Sequence, residues 1–432
     1  MQLYNLKHPD QQVSFRQATL QSIGRDSGLF FPSILPRFDD IGALLSMNFV
    51  DRSSAILQRL LGDEFGHDTI EQMVRNAFTF PVPVVPVEEN ISTLELFHGP
   101  TLAFKDFGAR FMAQVMSHLI ERGDHNGPLT ILSATSGDTG AAVAHAFHNV
   151  PNIQVVVLYP KGKISSLQEK LFCTLGGNIH TIAIESDFDT CQDLVKQCFA
   201  DSELVRRYGL NSANSINISR LIAQTTYYFE AAAQLRGKEV VISVPSGNFG
   251  NLTAGLIAQS LGAPIKAFIA STNINDTVPR YLATGDWRVN LTQATMSNAM
   301  DVSAPNNWPR IEALFARHQK APNIELRYKA VTEAETTEAM LQLKNAGYIS
   351  EPHGAVAYAS LKKLLLPGEH GVFLGTAHPA KFKDSVEATL QQSITLPAEL
   401  EAVANRKVLS STIPANKKAL ENQLAMSLTK NS

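Results

Sequence analysis

The chain has 432 residues, of which 44% are hydrophobic and 18% charged, and its formal net charge is −3 at pH 7. This composition excludes general disorder. It also gives no reason to expect a nucleic acid or an anionic membrane as partner, because both require clustered Lys and Arg. At about 150 residues per domain, the length predicts two or three domains.

The cysteines and the N-terminus favour a cytoplasmic protein. Cys173, Cys191 and Cys198 form no CxxC pair and leave an odd count, a pattern typical of reduced thiols rather than of a disulfide framework. Cys191 and Cys198 are spaced to share one face of a helix, which indicates packing. The first residues lack the basic start and apolar run of a signal peptide, and no stretch reaches the roughly 18 apolar residues of a membrane span.

The first part of the chain, residues 1–80, is predicted to be a mainly helical N-terminal domain. Its leucines and isoleucines between positions 44 and 61 are spaced for amphipathic helices. The domain ends at PVPVVP, residues 81–86, where three prolines forbid a helix and predict an extended linker.

From about residue 90, short apolar runs alternate with stretches of helical spacing. Continuous apolar runs are typical of strands buried on both faces of a parallel sheet, so the alternation predicts doubly wound α/β layers. Helices are expected over 138–148, 187–199 and 217–235. The segment 275–330 fits this pattern least and is a possible insertion. Strands are expected at 129–135, 153–159, 179–185, 240–246, 265–271 and 371–377.

Lys105 is the first residue with a chemical signal. Phe107, Phe111 and Val115 recur every four residues, so a helix is predicted to begin near Asp106, with Asp106 as its N-cap. Lys105 then lies in a loop before a helix N-terminus, where the helix dipole and an apolar pocket would lower its pKa from the usual value of about 10.4. Such an amine suits Schiff-base chemistry. Taken alone, however, the segment fits a solvated surface lysine better.

Two glycine-rich turns follow predicted strands and open predicted helices. In SATSGDTGAAVAHAFH (133–148) and VPSGNFGNLTAGLIA (244–258), the glycines allow a bound group to approach the backbone, and the free N–H groups of the helix start form an anion site. Each turn alone could be an ordinary strand–helix connection. Two on one sheet with a lysine upstream indicate a ligand site at the carboxyl ends of the strands.

With these segments in place, the chain resembles the threonine synthase family of fold type II pyridoxal-phosphate enzymes. The likeness covers nearly the whole chain. It implies two doubly wound α/β domains plus the mainly helical N-terminal domain, with residues 81–432 forming a cofactor-binding catalytic region of two interleaved α/β subdomains. The segments that carry the resemblance are LFHGPTLAFKDFG, SATSGDTGAAVAHAF, VPSGNFGNLTAG, NSANSINISRL, FLGTAHPAKF and the region from YNLK to GLFFP.

The resemblance implies pyridoxal 5′-phosphate as cofactor, carried by Lys105 as a Schiff base. Lys105 would also move protons between carbons as the catalytic acid and base. Thr376 would face the pyridine nitrogen, where a hydroxyl leaves that nitrogen less firmly protonated than an Asp would. The cofactor phosphate would be held by the backbone amides of Gly247, Asn248, Phe249, Gly250 and Asn251.

The substrate implied by the resemblance, O-phosphohomoserine, carries a second phosphate. Arg220 is the main candidate to bind it, because a guanidinium makes bidentate phosphate contacts. The family group often has Asn where this chain has Asp138, which leaves the partner of the cofactor's 3′-oxygen open. Lys161 and Lys163 could equally be exposed loop lysines. The expected substrate contacts are Ser136, Asp138, Thr139, Lys161, Lys163, Asn214, Ser215, Asn217 and Arg220.

The implied reaction is a β,γ-replacement, catalysed by a carbon–oxygen lyase that acts on phosphates. O-phosphohomoserine and water give threonine and phosphate, the last step of threonine biosynthesis. The expected enzyme binds no metal, since its histidines show no paired spacing. It is expected to act as a monomer or homodimer on this small molecule.

Three other functions stay open at this point. A serine/threonine dehydratase or an O-acetylserine sulfhydrylase would keep the lysine and the phosphate loop but would not need Arg220. A catalytically silent sensor of a phosphorylated ligand would not need Lys105. A dinucleotide-dependent oxidoreductase is the weakest alternative, because no GxGxxG with a downstream acid is present.

Overall fold

The computed structural model describes residues 1–125, 127–318 and 324–428. None of the helices in these ranges is both long and apolar enough to span a membrane. The strands are β1 (Gln2–Asn5), β2 (Gln12–Ser14), β3 (Phe30–Pro32), β4 (Val84–Glu88), β5 (Ile91–Glu95), β6 (Leu129–Ala134), β7 (Ile153–Pro160), β8 (Ile179–Ile184), β9 (Leu210–Asn211), β10 (Glu239–Pro245), β11 (Ala267–Thr272), β12 (Glu325–Ala330), β13 (Glu369–Gly375) and β14 (Ser411–Ile413).

The helices occupy the segments between these strands and the C-terminal region. They are α1 (Phe15–Gln21), α2 (Ile41–Ser46), α3 (Phe49–Phe65), α4 (His67–Ala77), α5 (Lys105–Glu121), α6 (Asp138–Phe147), α7 (Ser166–Cys173), α8 (Phe188–Ala200), α9 (Ser202–Tyr208), α10 (Ile218–Gln234), α11 (Gly250–Leu261), α12 (Thr277–Thr284), α13 (Trp308–His318), α14 (Glu333–Asn345), α15 (Pro352–Leu364), α16 (Lys383–Leu390), α17 (Ala398–Ala404) and α18 (Lys417–Leu428).

Two large sheets form the α/β part of the molecule. The six-stranded sheet has the order β12-β11-β10-β13-β5-β4, and the five-stranded sheet has the order β14-β8-β7-β6-β9. All pairings are parallel except that of β4 with β5. The six predicted strands are confirmed as β6, β7, β8, β10, β11 and β13, and the three predicted helices as α6, α8 and α10. The doubly wound α/β fold class is therefore confirmed.

The N-terminal residues form four helices and a small antiparallel sheet. The mainly helical prediction is confirmed for α1 to α4, but the sequence did not predict the sheet β2-β1-β3. Its strands are only three or four residues long, too short to show a two-residue period. Leu3 and Phe15 of this region belong to the same hydrophobic cluster as Phe107 and Leu221. The domain boundary at residue 80 stays a prediction.

The proline-rich segment 81–86 is extended, as predicted. Its second half begins β4, the edge strand of the six-stranded sheet, which pairs with one neighbour only. An edge position tolerates proline because no strand on the outer side needs its missing N–H group.

The segment 275–330 is the crossover between the neighbouring parallel strands β11 and β12. It contains α12, a 3₁₀ turn at Asn298–Met300 and α13, and its last residues form β12. Residues 319–323, which include the predicted APN turn, lie outside the described residues. Whether the segment is an insertion stays a prediction.

All three cysteines are buried and free of disulfides. Cys191 and Cys198 both lie on the buried side of α8, so the prediction that they pack on one helix face is confirmed.

Arg52 joins the N-terminal helices to the α/β part. The buried guanidinium forms an ion pair with Glu230 of α10 and donates to the carbonyl of Leu44, 3.2 Å away at the end of α2. Because α10 also contacts α5 and α11, this pair connects the N-terminal region to the centre of the molecule.

We expect Arg52→Met to lower the free energy of unfolding by about 3 kcal/mol, because it leaves the Glu230 carboxylate largely buried without its cation. The measurement is the urea midpoint followed by circular dichroism. The control is Arg75→Met, which removes an exposed ion pair on α4 and should leave the midpoint near the wild-type value. Equal midpoints for the two variants would contradict the role of Arg52.

Candidate active site

A cleft of about 1080 Å³ lies where the carboxyl ends of parallel strands from both large sheets meet. The turns after β6, β10 and β13 line it, together with the segment 212–216 after β9. Ligands of open α/β sheets bind at this edge. Further walls come from the N-terminal segment 21–29, from helix α8 and from the β11–β12 crossover.

Lys105 lines this cleft as the first residue of α5. The sequence placed it in a loop before a helix beginning at Asp106, so the helix starts one residue earlier than predicted. The backbone leading to it pairs with the segment after β13: the Phe104 N–H donates to the Thr376 carbonyl at 2.9 Å, and Ala103 bridges to Ala377. Lys105 is therefore held at the end of a central strand.

The prediction that Asp106 caps α5 is wrong. The residue before the helix is Phe104, and Asp106 lies in the first turn with its side chain turned back. Its carboxylate accepts from the Thr101 N–H at 2.9 Å and from the Thr101 hydroxyl at 2.6 Å. Asp106 thus stabilises the loop that presents Lys105, a tertiary contact that helix-capping rules do not predict.

The surroundings of Lys105 disfavour the protonated form of its amine. Burial lowers the pKa of its ammonium group; Asp138 opposes this shift, whereas Lys381 and Arg220 add to it. Among the described residues its Nζ has no hydrogen-bond or ion-pair partner, and it lies 5.4 Å from the centre of the Phe104 ring. The predicted direction of the shift is confirmed, and desolvation is its main cause.

The turn 247–251 follows β10, includes the first two residues of α11 and lines the cleft with all five of its residues. None of its backbone N–H groups donates to another described residue. The Asn251 Oδ1 atom accepts from the hydroxyls of Tyr227 and Tyr228, at 2.5 and 2.7 Å, while its buried Nδ2 atom has no partner within the described ranges. These free donors at a helix start form an anion site.

Gly247 is required for the close packing of this turn. A Cβ atom at this position would lie 2.7 Å from the Cα atom of Met300 and 3.1 Å from the carbonyl oxygen of Ala299, both backbone atoms of the crossover. The residue before α11, Phe249, adopts a left-handed conformation with φ of 60°. The turn therefore keeps its shape through backbone contact with the 299–300 segment.

The turn 136–139 places Ser136, Asp138 and Thr139 along the lining of the cleft. The Asp138 carboxylate forms a buried ion pair with Lys381, 2.7 Å between Oδ1 and Nζ, and accepts from the amide of Gln168 at 3.1 Å. Burial raises the pKa of a carboxyl group, but the Lys381 and Lys105 ammonium groups outweigh burial, so the pKa of Asp138 lies well below its usual range. Asp138 is ionised.

Thr376 follows β13 and lines the cleft, as predicted. Its hydroxyl lies 3.4 Å from Oε1 of Glu351, the N-cap of α15. The other carboxylate oxygen of Glu351 contacts Nδ1 of His353 at 2.5 Å, and Nε2 of His353 accepts from the Ala299 N–H at 3.1 Å. Glu351 thus supports both the hydroxyl of Thr376 and the backbone that packs on Gly247.

Arg220 is buried beside Lys105 in the first turn of α10. Its Nη2 atom donates to the Lys105 carbonyl at 3.3 Å, and Nη1 donates to the carbonyl of Ala213. Helix α5 can approach this closely because residue 108 is glycine: a Cβ atom there would lie 2.7 Å from Nε of Arg220. Burial lowers the pKa of Arg220 to about 10, so its charge persists at neutral pH.

The neighbours of Arg220 divide into two groups. Asn214 and Ser215 line the cleft, with Ser215 Oγ accepting from Asn307 at 3.0 Å. Asn217 does not line it: the residue is fully buried, caps α10 and donates to the carbonyl of Thr19 at 3.0 Å. The expectation that Asn217 contacts the substrate is therefore not supported, because its polar atoms are already used by the fold.

The structure does not bring Lys161 and Lys163 into the cleft. Both lie exposed after β7, and Lys161 forms an exposed ion pair with Glu185 at 3.1 Å. The interpretation of both as exposed loop lysines, left open from the sequence, is the one that the structure favours.

Sequence reasoning missed two buried cations near the cleft, Lys381 and Arg310. Lys381 lies in the FLGTAHPAKF segment, where a lysine shortly after a strand end was the available signal. Arg310 donates to the carbonyls of Phe30, Ser215 and Ile216 at 3.1, 3.0 and 2.7 Å. No local pattern distinguishes a buried arginine of this kind, because its partners come from distant segments.

The cleft fits the cofactor that the resemblance implies. The free N–H groups of turn 247–251 and the unpartnered Asn251 Nδ2 atom suit a phosphate ester. Lys105 offers an amine with no protein partner in the described ranges for an aldehyde, and Thr376 offers a hydroxyl for a ring nitrogen.

Three family patterns match the chain along nearly its whole length. The pattern described as threonine synthase N terminus matches residues 6–78, that of the pyridoxal-phosphate dependent enzymes matches 90–373, and that of threonine synthase, C-terminal, matches 354–424.

Curated and solved threonine synthases are similar to the chain over its full length. The threonine synthase of Escherichia coli strain K12 is 60% identical over 425 residues, covering 97% of this chain and 98% of that protein. The crystal structure of threonine synthase from Escherichia coli matches with a TM-score of 0.94 at 59% identity, covering 99% of this chain and all of that one. The structure of pyridoxal-phosphate-bound threonine synthase from Brucella melitensis matches with a TM-score of 0.90 at 33% identity, covering 99% of each.

We expect Gly247→Ala to weaken pyridoxal phosphate binding by about tenfold or more, roughly 1.4 kcal/mol, because the new Cβ atom must displace the 299–300 backbone and with it the anion site. Fluorescence titration of cofactor-free protein measures the Kd. Gly62→Ala, inside α3 with its nearest neighbour at 3.8 Å, is the control and should bind the cofactor normally. Normal binding by Gly247→Ala would show that the turn adapts.

Proposed function

The chain belongs to the threonine synthase family of pyridoxal-phosphate enzymes, which convert O-phosphohomoserine and water into threonine and phosphate, and we propose that it carries out this reaction in the cleft around Lys105. The observation that carries the assignment of the site is the position of Lys105. Its unpartnered amine shares one cleft with two helix-start anion sites and a buried arginine.

Lys105 is proposed to carry the cofactor and to transfer protons between substrate carbons. Burial favours its neutral amine, the form that attacks an aldehyde and accepts a proton. When bound, pyridoxal phosphate supplies the electron sink for charge that develops on those carbons. Helix α5 and the pairing with the segment after β13 fix the backbone from which the Lys105 side chain enters the cleft.

Gly247, Asn248, Phe249, Gly250 and Asn251 are proposed to bind the cofactor phosphate through their free N–H groups, and Thr376 to face its ring nitrogen. The contact between the Thr376 hydroxyl and the Glu351 carboxylate supports this role. Glu351 can accept a hydrogen bond from this hydroxyl, which leaves the hydroxyl oxygen free to accept one from the ring nitrogen.

Arg220, Asn214 and Ser215 are proposed to bind the substrate phosphate. The two contacts that Arg220 makes to backbone carbonyls leave one N–H on each terminal nitrogen. Ser136 and Thr139 are proposed to bind the substrate carboxylate through their hydroxyls and the free N–H groups of their turn. Asp138 contributes its backbone N–H to that set, because its ionised side chain repels a second carboxylate.

The cellular setting remains a prediction of its own. We propose that the enzyme works in the cytoplasm as a monomer or homodimer, which the three free cysteines support for a reducing compartment. Sedimentation of the purified chain distinguishes the two oligomeric states.

A dehydratase built on the same cofactor site is the nearest alternative. It would release 2-oxobutyrate, and it would have no use for a buried guanidinium that lines the cleft beside Lys105. The presence of Arg220 at that position favours a substrate that carries its own phosphate.

We expect the purified protein, supplied with pyridoxal phosphate, to form threonine and phosphate from O-phosphohomoserine in equal amounts. Phosphate with 2-oxobutyrate instead of threonine would contradict the proposed addition of water.

We expect Lys105→Ala to lower kcat by about 10²–10⁴-fold or more, because the variant lacks the proton-transfer group. Circular dichroism checks that the variant is folded. Near-normal turnover by that variant would mean that another residue carries the cofactor.

Arg220→Ala should raise the KM for O-phosphohomoserine by roughly tenfold to a hundredfold, as expected for the loss of about 1.5–3 kcal/mol of charge-assisted hydrogen bonding. The Kd for pyridoxal phosphate should change much less. Lys196→Ala, which removes an exposed cation from the rim of the same cleft, is the control and should change neither constant appreciably. An equal rise in the KM for O-phosphohomoserine and in the Kd for pyridoxal phosphate would contradict this role. It would mean that Arg220 binds the cofactor phosphate or supports Lys105 instead.

A further inference from the structure

Lys381 is a fully buried ammonium group behind the wall of the cleft. Its Nζ atom lies 2.7 Å from Oδ1 of Asp138 and donates to the carbonyl of Thr101, also at 2.7 Å. Burying an unpaired ammonium group is strongly unfavourable, so these two contacts stabilise Lys381 in its buried position. They also place its positive charge next to Asp138 and Thr101.

The two partners of Lys381 belong to two different segments next to the site. Thr101 lies in the loop before α5, and its N–H and hydroxyl hold the carboxylate of Asp106, the residue next to Lys105. Asp138 is the first residue of α6 and lines the cleft that Lys105 faces. Lys381 therefore links the loop that presents the reactive amine to a carboxylate of the same cleft.

Charged groups from several elements act on Lys105. After burial, the largest influence on the pKa of its ammonium is Asp138, which raises it, followed by Lys381 and Arg220, which lower it, and by Glu351, which raises it. Asp138 in turn faces Lys381, Lys105 and His353. The Asp138 carboxylate and its paired Lys381 ammonium thus shift the pKa of Lys105 in opposite directions.

Other ionisable groups near Lys381 sit on different elements. The positive charge of Lys381 lowers the pKa of Asp106 in α5, of His145 in α6 and of His378 after β13, in addition to the effect of burial on each group. Burial raises the pKa of the Asp106 carboxyl and lowers those of the two imidazoles, so none of the three replaces Asp138 as a paired anion.

We propose that Lys381 is a positioning residue for the reaction: it holds Asp138 in place as an ion-paired carboxylate and balances the negative charge that this carboxylate presents to the amine of Lys105. This inference rests on the proposed function, since it concerns the residue that carries the cofactor. Without the Lys381 ammonium, the Asp138 carboxylate acts on Lys105 uncompensated and favours its protonated form.

The test measures the titration of Lys105 directly in cofactor-free, full-length protein. Trace acetylation with acetic anhydride over a series of pH values, quantified by mass spectrometry, gives the midpoint at which Lys105 becomes reactive. Exposed Lys363 of the same chain serves as the internal standard. The measurement uses neither substrate nor cofactor, so it stands apart from the threonine assay.

Lys381→Met should move the midpoint of Lys105 upward by about one pH unit or more, the size expected for an opposite charge nearby that is no longer balanced. Asp138→Asn should move it downward, and the double variant should return it towards the wild-type value. Lys383→Met, which removes a partly exposed lysine paired with Glu387, is the matched control and should leave it unchanged. An unchanged midpoint in folded Lys381→Met overturns the proposal.

Should Lys381→Met fail to fold, Asp138→Asn and the double variant decide the question, because both replace the ion pair without leaving a bare carboxylate. A downward shift in Asp138→Asn that the second substitution reverses supports the proposal. The absence of any shift between these two variants overturns it. If the shifts occur in a protein that forms no threonine, the charge coupling stands and the proposed function fails.

Discussion

The site depends on the backbone pairing between the loop before α5 and the segment after β13. The Phe104 N–H donates to the Thr376 carbonyl at 2.9 Å, and the His378 N–H donates to the Leu102 carbonyl at 3.0 Å. Because β13 lies inside the six-stranded sheet, Lys105 and Thr376 are carried on one rigid support. The backbones of Lys105 and Thr376 are thus fixed relative to each other.

Desolvation controls the chemistry of the groups on that support. Lys105 is left without a direct anionic partner, whereas the fully buried Lys381 is paired with Asp138. Burial therefore lowers the pKa of the Lys105 ammonium group, while contact with the Asp138 carboxylate stabilises the ammonium group of Lys381. A reactive amine and a structural ammonium group coexist because only one of them has a carboxylate within contact distance.

Two buried guanidinium groups add positive charge around the segment 213–216. Within the described residues neither Arg220 nor Arg310 forms an ion pair; each donates to at least one backbone carbonyl of that segment. Burial lowers the pKa of Arg310 to about 9, and that of Arg220 stays higher, so both remain charged at neutral pH. An uncompensated positive potential beside two anion sites suits a cofactor and a substrate that each carry a phosphate.

The sequence alone determined the alternating α/β order, the two glycine-rich turns and the importance of Lys105, because apolar periodicity and turn chemistry are local properties of the chain. Only the tertiary structure decided which polar residues are free. It assigned Asn217 and Asp106 to the fold, left Lys161 and Lys163 in solvent, and brought Lys381 and Arg310 to the site. Whether a side chain is available to a ligand depends on what distant segments place against it, and on how much water they remove.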